Sequence, residues 1–412
     1  MKKPLEHWKK IFILIYTGQV FSLVGSSAVQ FSIIWWLTVN TGSAMTLTTA
    51  AVVGYLPNIL VGPFAGVWID RYNRKLIMML ADGFVALSSA ALALTFLFGT
   101  PSVEFIYVVL FMRGLGGTFH SPAMQAAIPM LVPEDQLVKA NGWGQFINSG
   151  CNMAGPVLGA AMMGIFSLAG IMLVDIFGAA MAITTLLFVK IPDVPNRTEK
   201  LHMLGDIKQG LRAIAGNKPL IMVSIPVLIS CVMYMPLNAL FPLLVSSHFG
   251  GTEWHTSLAE LLFALGLLTA SVVLGVFGKN RRQFLLISLS LVGLGATVLL
   301  GGLLPPGWFF VFAGLAFIMG CMGTFFSTPY MAFIQRTVDP AVLGKVISLG
   351  VSLMGLAMPI GLLAAGPGSE LIGVDGWFVL SGALLVLVGA VSLVLTRRFD
   401  RQPLPEPPAQ TE

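Results

Sequence analysis

Residues 66–75 read GVWIDRYNRK and place one acid and three bases within six consecutive positions. The segment before this charged cluster, residues 45–69, carries no charge, and a second apolar run begins directly after it. Charges concentrated between two apolar runs indicate a short loop at a membrane surface. The whole chain agrees, because 56% of its residues are hydrophobic and only 10% are charged, whereas a soluble domain carries about 25% charged residues. The sequence therefore predicts an integral membrane protein.

Apolar runs of spanning length recur throughout the chain. A membrane-spanning helix needs about 20 mostly apolar residues, and twelve such runs lie between polar junctions. Their approximate bounds are 11–38, 43–69, 75–99, 104–131, 136–166, 169–189, 219–247, 254–278, 283–304, 307–335, 341–368 and 376–396. We therefore predict an all-α membrane protein with twelve transmembrane helices.

Nearly all basic residues fall in segments on one side of the predicted membrane. With the N-terminus placed in the cytoplasm, 22 of the 23 Lys and Arg residues fall at the N-terminus, in the even-to-odd loops or in the C-terminal tail. The exception, Arg113, lies inside the fourth run. This asymmetry is the positive-inside rule, so both termini are expected in the cytoplasm. It also accounts for the net charge of +5 without a nucleic-acid partner.

The longest polar stretch, residues 190–218, separates six runs from six. Within it, four apolar residues at helical spacing predict a short amphipathic helix on the inner membrane face: Leu204, Ile207, Leu211 and Ile214. The predicted organisation is an N-terminal six-helix bundle at 1–189, a cytoplasmic linker at 190–218, a C-terminal six-helix bundle at 219–399 and a disordered tail at 400–412.

The two halves repeat one another. RGLGGTFHSPAM, from Arg113, and IMGCMGTFFSTPYM, from Ile318, share GTF followed by Ser, Pro and Met in the same order. AGPVLG at Ala154 likewise corresponds to AMPIG at Ala357. Such a repeat predicts a pseudo-twofold axis along the membrane normal, with a substrate path between the halves. Channels can also contain repeats, but the motifs below favour a carrier.

The stretch from Gly62 to Lys75, GPFAGVWIDRYNRK, resembles the loop signature between the second and third helices of the major facilitator superfamily. The resemblance implies a fold of two six-helix bundles. It also implies a latch, in which the acid pairs against the start of the eleventh helix, here near 340–344, and holds the inner side closed. The implied latch residues are Gly62, Gly66, Asp70, Arg71, Arg74 and Lys75. Glycines four residues apart allow two helices to approach closely.

Two features depart from the family pattern. Asn73 stands where many members have Gly, and the second-half counterpart, GVFGKNRR, has Lys279 where Asp70 would fall. The latch is therefore expected in one half only. The alternative is a loop that fixes membrane orientation and has no moving role.

NMAGPVLGA, in the fifth run, resembles the antiporter motif of exporters in the superfamily through Gly155, Pro156 and Gly159. Proline kinks a membrane helix and glycine allows tight packing against a neighbour. Cys151 stands where the motif usually has Gly, so the match is partial. The motif favours an exporter over a symporter, although a proline kink is common in any membrane helix.

Buried arginine is costly inside a membrane and is a functional hypothesis by default. Arg113 resembles the fourth-helix arginine of drug/proton antiporters, which lies near the proton-binding acid. The proton-coupling candidates are Asp82, Arg113, Glu260 and Asp175, of which we favour Asp82 and Glu260 as the acids. Each acid can instead be a structural partner of a base, and Arg113 can pair with a carboxylate or with backbone carbonyls.

The first and fourth helices of each half are expected to line the substrate path. They offer an aromatic and weakly polar set suited to a bulky amphipathic guest: Gln30, His120, Tyr234, Asn238, Phe325, Phe326 and Tyr330. Ordinary helix packing is the alternative for each of them. His120, His248 and His255 do not cluster as metal ligands do. With no nucleotide-binding or hydrolase motif either, we predict a non-enzymatic protein without cofactor or metal.

Several longer stretches resemble the macrolide-efflux branch of the superfamily, among them TGQVFSLVGSSAVQFSIIWWLT, FHSPAMQAAIPMLVPEDQL and MPLNALFPL. The resemblance implies an exporter of lipophilic drugs such as macrolides, driven by the proton gradient, in the inner membrane of a bacterium. It also implies a small lipophilic substrate, surrounding lipids and a monomer; an accessory ATP-binding or efflux partner is left open. Multidrug, siderophore or amphipathic-metabolite export is the nearer alternative, and a symport importer or a non-transporting membrane protein the more distant one.

Overall fold

The computed structural model describes residues 8–133, 136–189, 191, 203–277, 282–338, 340–397 and 399. These residues form fourteen α-helices and, within the described ranges, no β-strand. The helices are α1 Trp8–Thr41, α2 Ala44–Leu60, α3 Gly62–Arg71, α4 Arg74–Phe98, α5 Val103–Leu131, α6 Leu137–Met163, α7 Leu168–Leu187, α8 Met203–Gly216, α9 Lys218–Leu243, α10 Glu253–Phe277, α11 Gln283–Leu303, α12 Phe309–Thr337, α13 Pro340–Ile372 and α14 Val374–Thr396. A π-helical turn, Leu244–His248, continues α9.

The twelve predicted runs correspond to helices of this structure. In the described part of the chain, nine helices are long and apolar enough to cross a membrane, and α2 is a shorter apolar helix. The fourth and fifth runs are α5 and α6, with 29 and 27 residues. The linker holds a helix as expected, α8, although the structure does not describe the side chains of Leu204 and Ile207.

The second run differs from the prediction of one continuous helix, because it is divided into α2 and α3 at Val61. Pro57 lies inside α2, and a proline removes one backbone donor from a helix. Pro63 lies in the first turn of α3, where its fixed φ suits a new helix start. The next helix, α4, begins with Asn73, whose Oδ1 accepts a hydrogen bond from Leu76 N at 3.3 Å. Asn73 is thus an N-cap.

The chain divides into two compact units, one of residues 1–41 and 49–199 and the other of residues 42–48 and 200–412. In the first unit, α1 packs on α6 and α7, and α4 packs on α5 and α7. Glycine makes the α1–α7 contact close: a Cβ at Gly178 would lie 2.6 Å from Phe21 O, and one at Gly25 would lie 3.2 Å from Val174 O. Small residues let membrane helices approach in this way.

In the second unit, α11 packs on α14 and α10 packs on α12. Glycines again define the contact, since a Cβ at Gly302 would lie 2.7 Å from Asp375 O and one at Gly295 would lie 2.9 Å from Gly382 O. The linker helix α8 belongs to this unit, where Ile214 packs against a buried core cluster that includes Phe284. Leu211, one turn earlier on α8, is 50% exposed.

Candidate functional site

The first unit holds two buried carboxylates, Asp175 on α7 and Asp82 on α4. Asp175 is completely buried and lies beside Gly25, at a close contact between α1 and α7. This close approach brings Ser26 within hydrogen-bonding distance, and Ser26 Oγ donates to Asp175 Oδ1 at 2.5 Å. A side chain on α4 completes the contact, because Ser89 Oγ donates to Asp175 Oδ2 at 2.7 Å.

Arg113, on α5, forms an ion pair with the same carboxylate through Nη1 and Asp175 Oδ2. Its Nη1 also donates to Ser89 Oγ at 2.6 Å, and its Nη2 donates to Ser26 O at 3.0 Å. The guanidinium is 7% exposed. Four helices therefore meet at one buried charge pair, and the pair compensates the cost of removing each charge from water.

Asp82 lies in a second cluster with weaker contacts. Gln19 Nε2 donates to Asp82 Oδ2 at 3.4 Å, and Ser22 Oγ donates to Asp82 Oδ1 at 3.3 Å. His120 Nε2 lies 3.5 Å from Asp82 Oδ1 without hydrogen-bond geometry. The side chain of Gln19 is almost fully buried, and its Oε1 has no hydrogen-bond partner among the described residues.

The structure thus gives Arg113 a carboxylate partner, one of the two alternatives that the sequence left open, and the acid is Asp175. Asp82, which we favoured, faces His120, a residue expected to line the substrate path. Sequence reasoning missed this pairing, because the two residues lie on different helices, α4 and α5. Glu260, the other favoured acid, lies on α10 in the second unit and forms no hydrogen bond or ion pair with a described residue.

The bases of the charged cluster at residues 70–75 lie in different environments. Lys75 Nζ donates to two carbonyls at the end of α7, Leu187 O at 3.1 Å and Val189 O at 2.9 Å. A cation there complements the helix dipole. Arg74 is buried and Arg71 is exposed. The side chain of Asp70, on which the latch prediction depends, lies outside the described part of the structure.

The two glycines of the loop signature do not show the close helix approach that we expected. A Cβ at Gly62 would meet only Thr118 Cγ2, at an ordinary 4.0 Å, and a Cβ at Gly66 would meet no described atom within 4 Å. Close helix packing therefore does not explain glycine at positions 62 and 66 in this structure. The role of these two glycines in a latch stays a prediction.

The glycines of NMAGPVLGA, in contrast, lie in a tight contact between α6 and α1. A Cβ at Gly155 would overlap the side chain of Ser27, and a Cβ at Gly159 would lie 2.9 Å from both Ala28 O and a ring carbon of Phe31. Pro156 lies between them inside α6. The partial motif therefore has the packing role expected of its glycines, and the α1–α6 contact is called the glycine seam below.

The residues expected to line a substrate path fall into different environments. Gln30 and Asn238 are exposed, and Tyr234, Phe325 and Phe326 are half-buried. Tyr330 is 7% exposed within the core cluster of the second unit, which favours the alternative of ordinary helix packing. Its hydroxyl lies 2.9 Å from Ser224 Oγ, and its ring stacks on Phe326 with centroids 6.2 Å apart. We therefore reassign Tyr330 to the core.

This reassignment predicts that Tyr330→Phe lowers the free energy of unfolding by about 0.5–1.5 kcal/mol, the usual net value of one hydrogen bond. Drug affinity should stay unchanged, since the hydroxyl bonds within the core. Denaturation and drug binding of the purified protein measure both quantities. Tyr234→Phe is the matched control, because Tyr234 Oη has no hydrogen bond to a described residue. A fall in affinity at unchanged stability would return Tyr330 to the substrate path.

Within the described residues, no group of three or more His, Cys, Asp or Glu side chains could hold a metal ion. Apolar spanning helices and two compact helical units describe a multi-pass membrane protein, and the comparisons with known proteins place it among transporters rather than enzymes. The sequence pattern of the Major Facilitator Superfamily matches residues 15–279 and 223–412. The chain belongs to this superfamily.

Two relatives illustrate the family, and one solved structure illustrates the fold. The chain is 38% identical over 399 residues to Macrolide efflux protein A of Streptococcus pyogenes, covering 96% of this chain and 98% of that protein. It is 37% identical over 323 residues to Macrolide efflux protein A of Enterococcus faecalis, covering 78% and 100%. A bacterial homologue of the iron transporter ferroportin, solved in an inward-facing state, aligns with a TM-score of 0.74 at 15% identity, covering 94% of this chain and 98% of that one. The predicted fold class and the resemblance to the macrolide-efflux branch are confirmed.

Proposed function

We propose that this protein exports lipophilic drugs, with macrolides as the first substrate class, in exchange for protons. The main support for efflux is the 38% identity to Macrolide efflux protein A over almost the full length of both chains. Transport proceeds by alternating access, in which the substrate path is open to one side of the membrane at a time. No cofactor takes part. The proposed setting is the inner membrane of a bacterium, with both termini in the cytoplasm and the protein acting as a monomer.

The buried charges of the first unit support proton coupling. An ionisable side chain in a membrane helix is expensive, so such groups mark ion or proton pathways by default. The two clusters of this unit hold two carboxylates, one guanidinium and one imidazole. An energy-independent facilitator has no need of such groups, whereas an antiporter requires at least one group that gains and loses a proton.

The glycine seam also supports export as the direction of transport. Gly155 and Gly159 fit the antiporter motif in sequence and in packing, since α1 lies against the backbone of α6 at both positions. This favours an exporter over a symport importer. The second candidate is export of other drugs, siderophores or amphipathic metabolites, because the exposed Gln30 and Asn238 do not favour macrolides over another amphipathic guest.

Drug accumulation tests the proposal directly. Cells with the protein should accumulate less radiolabelled erythromycin than cells without it, and a protonophore should abolish the difference. Equal accumulation in both strains rules out macrolide export, and higher accumulation indicates an importer. The same assay with a cationic dye and a catecholate siderophore distinguishes the second candidate.

The latch is tested by Asp70→Asn. We expect transport to fall at least tenfold while the amount of protein in the membrane stays unchanged, because the remaining bases still set the topology. Asp70→Glu, which keeps the charge, is the matched control and should retain most activity. Drug efflux and membrane-fraction immunoblots measure the two effects. Wild-type efflux by Asp70→Asn would leave the loop with a topological role alone.

A further inference from the structure

The two buried clusters of the first unit are built on the same three helices. Each of these helices contributes one residue to the Asp82 cluster and another to the Asp175 cluster, and the two are seven positions apart. The pairs are Gln19 and Ser26 on α1, Asp82 and Ser89 on α4, and His120 and Arg113 on α5. Seven residues are two helical turns, so the paired positions share a face and lie about 10 Å apart along it. The clusters are therefore neighbouring layers of one polar column.

We propose that Asp82 and His120 form the proton-carrying site of this column, whereas Arg113 and Asp175 form a fixed charge pair. The inference rests on the proposed proton antiport and names the site that would perform it. The proton binds to the carboxylate–imidazole pair as a unit, adding one positive charge to the layer. Its release restores the original charge.

The Asp175 layer is unsuited to this task. Its carboxylate accepts hydrogen bonds from Ser26, Ser89 and Arg113, so an added proton would compete with these three donors and weaken the ion pair. Arginine stays protonated under physiological conditions. Protonation of Asp175 would leave the buried Arg113 charge without its counterion, and Arg113 Nε already has no hydrogen-bond partner among the described residues. The ionised pair instead holds α1, α4, α5 and α7 together.

The Asp82 layer has the opposite character. Its two hydrogen bonds are long, at 3.4 Å and 3.3 Å, and both come from neutral groups. Two further atoms have no hydrogen bond to a described residue, Gln19 Oε1 and His120 Nε2. A proton added to His120 Nε2 turns the 3.5 Å contact with Asp82 Oδ1 into an ion pair. Imidazole is also the side chain that changes charge near neutral pH.

The other charged and titratable groups on the surrounding helices do not replace His120. Most lie in the first or last turn of a helix: Lys9, Lys10, Asp70, Arg71, Arg74, Lys75, Glu104 and Lys139. The remainder are Arg113 and Asp175 in the other layer, together with Tyr16, Tyr55, Tyr107 and Cys151. Among the described residues, His120 is the only ion-pair partner of Asp82 within 4.0 Å.

Proton release from the purified full-length protein tests the inference. Erythromycin is added to the protein in weakly buffered detergent solution, and a pH dye records the protons released. Erythromycin affinity is measured across the same pH range. The wild type should release protons and bind more weakly at acid pH, because drug and proton compete. Asp82→Asn should release none and bind with little pH dependence.

His120→Gln provides a second variant, which keeps a polar side chain at this position. It should bind the drug and shift the midpoint of the pH profile, and proton release at neutral pH should fall severalfold. Ser88→Ala is the matched control, because Ser88 Oγ donates to Val85 O within α4 and not to Asp82, and it should keep the wild-type profile. Wild-type profiles in both Asp82→Asn and His120→Gln would overturn the inference. A wild type that binds drug without releasing protons would instead overturn proton antiport itself.

Discussion

Asp175→Asn is expected to destabilise the protein by about 3–5 kcal/mol, because it leaves the Arg113 guanidinium charged and buried without its partner. Arg113→Met should cost a similar amount, since it leaves an uncompensated carboxylate that is completely buried. Both variants should also lose transport. Denaturation of the purified protein and drug efflux from cells measure the two effects.

The double variant Arg113→Met with Asp175→Leu separates charge from packing. Removing both charges together should recover most of the lost stability, because apolar side chains can replace a buried ion pair at little cost. Transport should not recover if the charge pair also has a functional role. Glu104→Gln removes an exposed acid from the same helix and should be neutral. Additive losses in the double variant would show that the two side chains do not interact.

Gly155→Ala is expected to destabilise the protein by about 1–3 kcal/mol and to impair efflux, because the added methyl group overpacks the glycine seam against Ser27. Gly150→Ala is a closely matched control on the same helix. A Cβ at Gly150 would meet no described atom within 4 Å, so alanine should stabilise α6 by up to about 1 kcal/mol. The same substitution should thus have opposite signs at two positions five residues apart.

A compensating change tests the cause of this effect. Ser27→Gly should restore stability to Gly155→Ala, because it removes the side chain that the new methyl group overlaps. The measurements are denaturation of the purified protein and drug efflux, for both single variants and the pair. If Ser27→Gly brings no recovery, the tight contact is not the reason for the loss.

The sequence was sufficient for the fold because hydropathy, charge asymmetry and the internal repeat can each be recognised from the order of the residues. None of the three requires knowledge of how the helices face one another. The break at Val61 shows the limit of this approach. An uncharged run predicts burial in the membrane but does not say whether the helix continues, and here Pro57 and Pro63 together decided the matter.

The candidate site was less accessible to sequence reasoning because it depends on how helices face one another. Arg113 and Asp175 are 62 positions apart and Asp82 and His120 are on different helices, so no single periodicity contains either pair. The seven-residue spacing on three helices was visible in the sequence, yet it gains meaning only when the helices are packed. The two alternatives for Tyr330 stayed open for the same reason, since an aromatic residue on a fourth helix can face a path or a core.

The contacts of α1 have a consequence for energy conservation. This helix lies against the backbone of α6 at the glycine seam and against that of α7 at Gly25, and it contributes Gln19, Ser22 and Ser26 to the two layers. Such closely packed contacts favour discrete arrangements over gradual displacement. If α1 moves between two positions only, partly open arrangements through which protons leak are rarely visited. Tight packing of a helix that carries no charge between residues 11 and 41 would then keep the membrane gradient from being dissipated when no drug is bound.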